Sequence, residues 1–180
     1  ADLDHACRRA ADRLLSKQRS DGSWEGFWGI NYTYASFHAI RALLLFGMNK
    51  DAPPLRRASE FIQSIQREDG GWGEHYSSCL QGKYVEHPES QVVMTSWALL
   101  ALLDLEDPSE PAIERGILWL LSKQEADGSW PKQAVNGVFF GAAMLDYRLY
   151  HTYFPVWAIT RYNHKINEVS CCGSATGVAK

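Results

Sequence analysis

A unit made of a helical run, a glutamine, an acidic turn, a glycine and a tryptophan occurs three times in this chain of 180 residues. Internal repeats of this length are typical of folds built from one repeated supersecondary unit. The three copies end in QRSDGSW at 18–24, QREDGGW at 66–72 and QEADGSW at 124–130. The chain therefore has to fold as a stack of similar units, each burying its apolar face on its neighbours.

Each copy starts with a basic residue, a small residue and apolar positions at helical spacing, which predicts an amphipathic helix. Asp-Gly after such a run is a stop signal, because glycine adopts the left-handed φ that ends a helix. The glutamine amide can bond backbone groups exposed at the helix end, and the tryptophan can fold back onto the helix. We therefore predict structural rather than catalytic roles for Gln18, Trp24, Gln66, Trp72, Gln124 and Trp130.

Further helices are expected between the repeats. Residues 34–46 and 90–103 carry apolar side chains at helical spacing, and no segment alternates like a strand between turn signals. The sequence thus predicts an all-α fold, an α-α toroid or barrel of helical hairpins, with little or no sheet. Because three repeats are too few to close a ring, we expect an incomplete barrel.

Composition excludes several classes of function. A net charge of -3 argues against a nucleic-acid partner, since phosphate binding usually needs a basic face. The four cysteines have no metal-ligand spacing, so we predict neither a metal site nor a cofactor. The apolar runs are too short to span a bilayer. Seven Trp and eight Tyr are the unusual feature, because so much aromatic surface must be buried or line a cavity.

Three longer stretches identify a family. With GSWEGFWGINYTY at 22–34, GGWGEHYSSC at 70–79 and NGVFFGAAMLDYRLYHTYFPVWAITRY at 136–162, the repeats resemble the QW motifs of the triterpene cyclases. That family comprises the squalene-hopene and oxidosqualene cyclases. The resemblance extends to about Tyr162, so we predict a C-terminal barrel region with three QW repeats at 1–162 and a disordered tail at 163–180.

The resemblance implies a terpene cyclase/mutase, an isomerase of the intramolecular-transferase type in triterpene or sterol biosynthesis. Its substrate would be squalene or 2,3-oxidosqualene, which such enzymes protonate in a deep apolar cavity. Water must be excluded there, because it quenches carbocations. Aromatic faces stabilise cations without acting as nucleophiles. The resemblance assigns five residues to the cavity wall: Trp28, Tyr34, Phe139, Tyr147 and Tyr150.

Two residues also match more specific family roles. Tyr34 matches a tyrosine of the oxidosqualene cyclases that partners a histidine near the site of final proton loss. Cys79 matches a cysteine of the same enzymes that hydrogen-bonds the catalytic acid, which favours an epoxide substrate. The alternatives are an ordinary core position for each ring and a plain buried thiol for Cys79. GINYTY is nearer the hopene cyclases and SSC nearer the epoxide enzymes, so the residues leave the substrate open.

The acid motif of the family does not occur in the chain. Squalene-type cyclases use Asp-x-Asp-Asp and epoxide-type ones Asp-Cys-Thr-Ala-Glu, and both would precede this region. We therefore expect no catalytic acid here, a remaining N-terminal part of the cyclase as partner, and no turnover by these residues alone. The resemblance also implies a monotopic or peripheral protein, on the endoplasmic reticulum membrane or a lipid droplet in a eukaryote, or on the cytoplasmic face of the membrane in a bacterium.

Two other classes of function share features with the repeats. The protein prenyltransferase β subunit is also a helical toroid, but its zinc site needs Asp, Cys and His ligands at a spacing that is absent here. A non-catalytic helical repeat scaffold would bind protein partners and would have polar concave faces. An apolar cavity lined by aromatic rings would count against a scaffold.

Overall fold

The computed structural model describes residues 2–141 and 143–174. Helices dominate this part of the chain, and a two-stranded antiparallel hairpin is formed before the last helix. The elements in chain order are α1 (Leu3–Leu15), α2 (Asn31–Leu45), α3 (Pro53–Ser64), α4 (Ser78–Gln81), α5 (Val92–Leu105), α6 (Pro111–Ser122), β1 (Gly137–Phe139), β2 (Ala143–Leu145) and α7 (Tyr150–Ser174).

Helix α5 lies at the centre and packs against α2, α3, α6 and α7. Its sequence VVMTSWALLALLDL is apolar on all sides, as expected for a helix without a solvent face. Every residue of α5 except Asp104 is buried. The Asp104 carboxylate accepts hydrogen bonds from Arg41 of α2 at 3.2 Å and from Arg161 of α7 at 3.3 Å. One acidic side chain therefore ties two neighbouring helices to the central one.

The three repeat tryptophans lie in the same position in every unit. Each indole Nε1 donates, at 2.7–2.9 Å, to the carbonyl ten residues earlier, which lies in the helix of the same repeat. The bonds join Trp24 to Leu14, Trp72 to Ile62 and Trp130 to Leu120. Because each ring is also buried, these bonds hold the end of a helix against the loop that follows it.

The repeat glutamines connect one unit to the next. The Gln18 amide donates to Gly22 of its own loop and, at 2.7 Å, to the carbonyl of Pro54 in the first turn of α3. Arg57 of the same helix donates back to the Gln18 side-chain oxygen at 2.6 Å. The second unit repeats the arrangement, with Gln66 bonded to Gly70, Ala112 and Arg115. The third, Gln124, bonds Gly128 of its own loop.

The described residues contain little sheet, as predicted, although the sequence did not locate the hairpin, and one further region differs from the sequence-based expectation. The hairpin is stabilised by a turn with Phe140 and Gly141 at φ 48° and 67°, and its three-residue strands are too short to show an alternating pattern. Helix α7 continues to Ser174, so residues 163–174 extend a helix where we predicted the start of a disordered tail. The Lys165 amino group reaches back to the Glu106 carbonyl at 3.2 Å, which fixes this part of α7 to the end of α5. The rest of the predicted tail, 175–180, lies outside the described residues.

Neither a membrane span nor a metal cluster is found in the described part of the chain. None of its helices has the length and apolarity needed to cross a bilayer. Within the same residues, no three His, Cys, Asp or Glu side chains are grouped so that they could hold a metal ion.

Candidate functional site

The loop between α1 and α2 pairs with the hairpin and brings two predicted cavity rings together. The Val138 amide donates to the Trp28 carbonyl at 3.0 Å, and the Ile30 amide donates to the Asn136 carbonyl at 3.1 Å. As a result, the rings of Trp28 and Phe139 lie 4.8 Å apart, although 110 residues of sequence separate them. Backbone pairing, rather than helix packing alone, sets this contact.

The other predicted rings lie beside the same hairpin. Tyr147 and Tyr150 stack with their centroids 4.8 Å apart. Trp97 of α5 contacts both Tyr150, at 5.8 Å, and Tyr34, at 5.1 Å. The five predicted rings thus form two neighbouring groups, Trp28 with Phe139, and Tyr34, Tyr147 and Tyr150 joined through Trp97. The backbone at Gly29 and Gly137 lies between the groups, and we call the whole region the aromatic patch.

Glycines make the close approaches in this patch possible. A Cβ atom at Gly137 would lie 2.7 Å from the Tyr147 ring and 2.8 Å from the Trp28 carbonyl. A Cβ atom at Gly29 would lie 2.4 Å from the ring of Tyr34. Since no side chain fits at either position, the two glycines allow the rings to press against the backbone.

Much of the aromatic surface next to the patch is open to solvent. Trp28 is 44% exposed and Phe140, at the tip of the hairpin, is 67% exposed. Phe27 is also exposed, and its ring contacts the rings of Trp28, at 5.9 Å, and Phe140, at 5.4 Å. A contiguous exposed aromatic surface of this kind is typical of an interaction site or a ligand cavity.

Tyr34 and Tyr150 of the patch are neutral phenols. Burial raises the pKa of Tyr150 to about 12, with nearby tyrosines adding to the effect. Burial also raises the pKa of Tyr34. Their hydroxyl groups therefore stay protonated near neutral pH and can donate hydrogen bonds. Their ring faces are electron-rich and attract cations.

Tyr34 faces a pocket that the sequence did not reveal. The pocket is open, has a volume of about 780 Å³ and lies between α1 and α2, with Trp24, Phe27 and His38 also in its wall. The His38 ring lies one helical turn after Tyr34, edge-on to it, at 4.6 Å. Partial burial lowers the pKa of His38, which favours its neutral form. No role was predicted for His38, although its place four residues after Tyr34 in the predicted helix already puts the two side chains on one face.

Cys79 lies on α4, which packs against α2. It is half-buried, and burial raises the pKa of its thiol to about 11, with the charge of Glu74 adding to the effect. The thiol is therefore protonated near neutral pH and able to donate a hydrogen bond. Its assignment as a partner of the catalytic acid stays a prediction.

Glu74 is a buried carboxylate that the sequence analysis did not single out. It accepts backbone hydrogen bonds from Tyr32 at 3.0 Å and from Thr33 at 2.9 Å, and a third from the Thr33 hydroxyl. These donors lie in the first turn of α2, so Glu74 caps the helix that carries Tyr34. The only signal in the sequence is its place directly after the second repeat, in GGWGE.

Comparison with known proteins gives a consistent match. Residues 1–164 match the family model described as the squalene-hopene cyclase C-terminal domain. Lanosterol synthase from Mus musculus is 38% identical over 177 residues, which are 96% of this chain and 24% of that protein. Squalene–hopene cyclase from Zymomonas mobilis is 37% identical over 163 residues, 89% of this chain and 25% of that protein. The chain thus spans about a quarter of the length of the curated relatives it matches.

The fold is also similar to that of solved enzymes. The structure of the type II terpene cyclase MstE from Scytonema, in complex with geranylgeranyl dihydroxybenzoate, aligns with a TM-score of 0.69 and 21% identity. The alignment covers 89% of this chain and 51% of that chain. The predicted all-α fold of the α-α toroid type is confirmed.

Proposed function

The chain belongs to the triterpene cyclase family, because it matches the squalene-hopene cyclase C-terminal domain. From this premise we propose that it supplies part of the wall of a cyclisation cavity. The observation that carries the proposal is the aromatic patch. Rings from the 24–30 loop, α2, β1 and the start of α7 lie close together there. A protein prenyltransferase β subunit and a non-catalytic scaffold are not favoured, because the family match is to cyclases.

The patch fits the chemistry of a polyene cyclisation. The cationic intermediates need stabilisation from groups that do not react with them, and the face of an aromatic ring contributes about 0.5–2 kcal/mol to a nearby cation. Trp28 and Phe139 offer two such faces at one edge of the patch. The rings of Tyr34 and Tyr150, whose phenols are protonated at neutral pH, add two more such faces.

The proposed substrate is squalene or 2,3-oxidosqualene. The named relatives include both a lanosterol synthase and a squalene–hopene cyclase. Cys79 favours the epoxide, because a protonated thiol can hydrogen-bond a carboxyl group that protonates an oxirane. The acid that starts the reaction would come from an N-terminal part of the same cyclase. Peripheral attachment to a membrane or a lipid droplet, where such lipids accumulate, is part of the same proposal.

The proposal is tested with the full-length cyclase that contains this chain. Purified enzyme is incubated separately with squalene and with 2,3-oxidosqualene, and the products are identified by gas chromatography and mass spectrometry. We expect cyclic triterpenes from one of the two substrates. Absence of cyclic product from both, with folded enzyme, would overturn the proposal.

A single substitution then tests the patch itself. Phe139→Ala removes a ring beside Trp28 and should increase the share of products with fewer closed rings, since a cation formed midway along the path loses its stabilising face. Phe46→Ala is the matched control, because Phe46 is a partly exposed phenylalanine just beyond α2 and outside the patch. Identical product profiles for the two variants would mean that Phe139 serves only packing.

A further inference from the structure

A small group of buried polar side chains lies under the hairpin. Asn136 immediately precedes β1 and is 1% exposed, and His151 is in the first turn of α7 and 8% exposed. The amide nitrogen of Asn136 is 3.2 Å from His151 Nε2, and an Asp146 oxygen is 3.4 Å from the same ring nitrogen. None of the three was singled out from the sequence, and the cavity chemistry proposed above does not use them.

Asn136 connects three segments of the site through both its backbone and its side chain. Its carbonyl accepts the Ile30 amide of the loop that carries Trp28, and its own amide donates to Leu145 of β2. Its side-chain oxygen accepts the Tyr147 amide at 3.0 Å, and its side-chain nitrogen donates to the Tyr147 carbonyl at 3.4 Å. One side chain therefore replaces a pair of backbone hydrogen bonds at the base of the hairpin.

His151 holds the Asn136 amide from the other side. With Nε2 unprotonated, the ring accepts from Asn136. The same nitrogen lies 3.4 Å from an Asp146 oxygen, which is an ion-pair contact when the ring is protonated. His151 Nδ1 and one Asp146 oxygen are buried and form no hydrogen bond in the described part of the chain. A buried polar atom without a hydrogen bond lowers the stability of the folded state. A buried polar cluster that contains such atoms therefore calls for another explanation, and fixing a specific geometry is one.

We propose that Asn136 and His151 are positioning residues of the cavity: together they set the placement of Phe139 and Tyr147 relative to Trp28. This inference rests on the proposed function, because it names the residues that orient rings of the proposed cavity wall. Neither side chain needs to touch the substrate. Asn136 acts through Tyr147 and the hairpin, and His151 acts through Asn136.

The first test measures products. Asn136→Leu keeps a side chain of similar size but removes its hydrogen bonds to Tyr147 and His151, so the full-length cyclase carrying it should give a changed ratio of products. Asn136→Asp keeps the oxygen that accepts the Tyr147 amide but loses the amide donor to His151 and to the Tyr147 carbonyl, so it should also change the ratio. Leu55→Ala, in the buried face of α3, is the control for lost stability alone and should leave the ratio unchanged. A wild-type product ratio in Asn136→Leu would overturn the inference.

The second test is independent of turnover, so it separates failure of this inference from failure of the proposed function. Amide hydrogen exchange is measured on the 180-residue chain, with the Val138 and Ile30 amides as reporters of the loop–hairpin pairing. Asn136→Leu and His151→Leu should each speed exchange of both amides by roughly tenfold, the effect expected when local opening loses one hydrogen bond. Exchange in α5 should not change. Unchanged exchange at Val138 and Ile30 would show that the buried group does not position the hairpin.

Discussion

The carboxylate of Glu74 accepts the backbone amide of Thr33 at 2.9 Å and the Thr33 hydroxyl at 2.8 Å. This buried contact joins the segment after the second repeat to the first turn of α2, 41 residues earlier in the chain. Since α2 carries Tyr34, the cap fixes the start of a helix that contributes to the candidate site. The contact also explains how an ionisable group is accommodated inside an apolar fold, because its oxygens all face hydrogen-bond donors.

Glu74→Gln should destabilise the chain strongly for so small a change. The amide group of glutamine would turn an NH₂ towards a donor at Tyr32 or Thr33, and a buried donor left without an acceptor costs about 1–3 kcal/mol. Urea unfolding followed by circular dichroism measures the loss. The same substitution at the exposed Glu60 of α3 is the control and should change the free energy of unfolding little. Equal stability of the two variants would contradict the capping role.

A second prediction concerns the repeat glycines, which have the same backbone conformation but different surroundings. Gly22, Gly70 and Gly128 all have φ near 90°. A Cβ atom would lie 2.2 Å from the Arg57 carbonyl at Gly22 and 2.9 Å from the Arg115 carbonyl at Gly70, whereas at Gly128 it would meet nothing in the described residues within 4 Å. The three positions therefore separate backbone strain from a steric clash.

Substitution by alanine should destabilise in the order Gly22, Gly70, Gly128. All three variants lose about 1–2 kcal/mol because alanine is strained at positive φ. Gly22→Ala should lose about 1–3 kcal/mol more, since α3, which carries Arg57, must move away from the loop. Thermal unfolding of the three variants under one set of conditions gives the ranking. If Gly128→Ala were as destabilising as Gly22→Ala, contact between repeats would not be the reason that glycine occurs there.

Periodicity was enough to predict the helices, and the repeats were enough to predict the toroid, because both depend on local spacing. The indole bond from Trp24 to Leu14 lies within a single repeat, so its two ends are close in the sequence. The hairpin was not predicted, because it depends on a positive φ at Phe140, which no residue preference indicates. Glu74 and Asn136 were missed for a related reason: their partners are distant in the sequence or become partners only after the chain has folded.

The five predicted cavity rings were named through the family resemblance rather than from a pattern in the residues. Their convergence depends on the pairing of Trp28 with Val138, which neither segment reveals alone. The contact of His38 with Tyr34 is different, because the two are four residues apart in one predicted helix and helical spacing alone places them together. Helical structure is local and can be read from one segment, whereas a site assembled from four segments requires their three-dimensional arrangement.

The acidic turn of the second repeat should make stability depend on pH. Burial raises the pKa of Asp69, but hydrogen bonds from Ser90, Gly71 and Trp119 and the charge of Arg67 outweigh it and hold the pKa below its usual value. A carboxyl group with a lowered pKa in the folded state stabilises that state above its unfolded pKa of about 3.9. This contribution is lost as the pH falls through the folded-state pKa.

Asp69→Asn should therefore reduce the acid sensitivity of the fold. Between about pH 6 and pH 3 the unmodified chain should lose more stability than the variant, as measured by urea unfolding at each pH. Asp21→Asn is the matched control, because Asp21 has the same place in the first repeat but bonds Ser23 and pairs with Arg19 within its own loop. Parallel pH profiles for the unmodified chain and Asp69→Asn would refute the assignment.

Cys79 and Cys7 should differ widely in reactivity, because one thiol is half-buried on α4 and the other is exposed on α1. Burial raises the pKa of Cys79 to about 11, and only the thiolate reacts with alkylating reagents. At about pH 8, a chain whose only cysteine is Cys79 should react with iodoacetamide roughly 100-fold more slowly than an ordinary exposed thiol. Its rate should continue to rise with pH up to about 11.

Mass spectrometry of the two single-cysteine chains gives both alkylation rates. In urea, where the chain is unfolded, the two rates should become equal. Similar rates in the folded chains would mean that Cys79 is not a protonated thiol at neutral pH, and its proposed role as a hydrogen-bond donor to the catalytic acid would lose its physical basis.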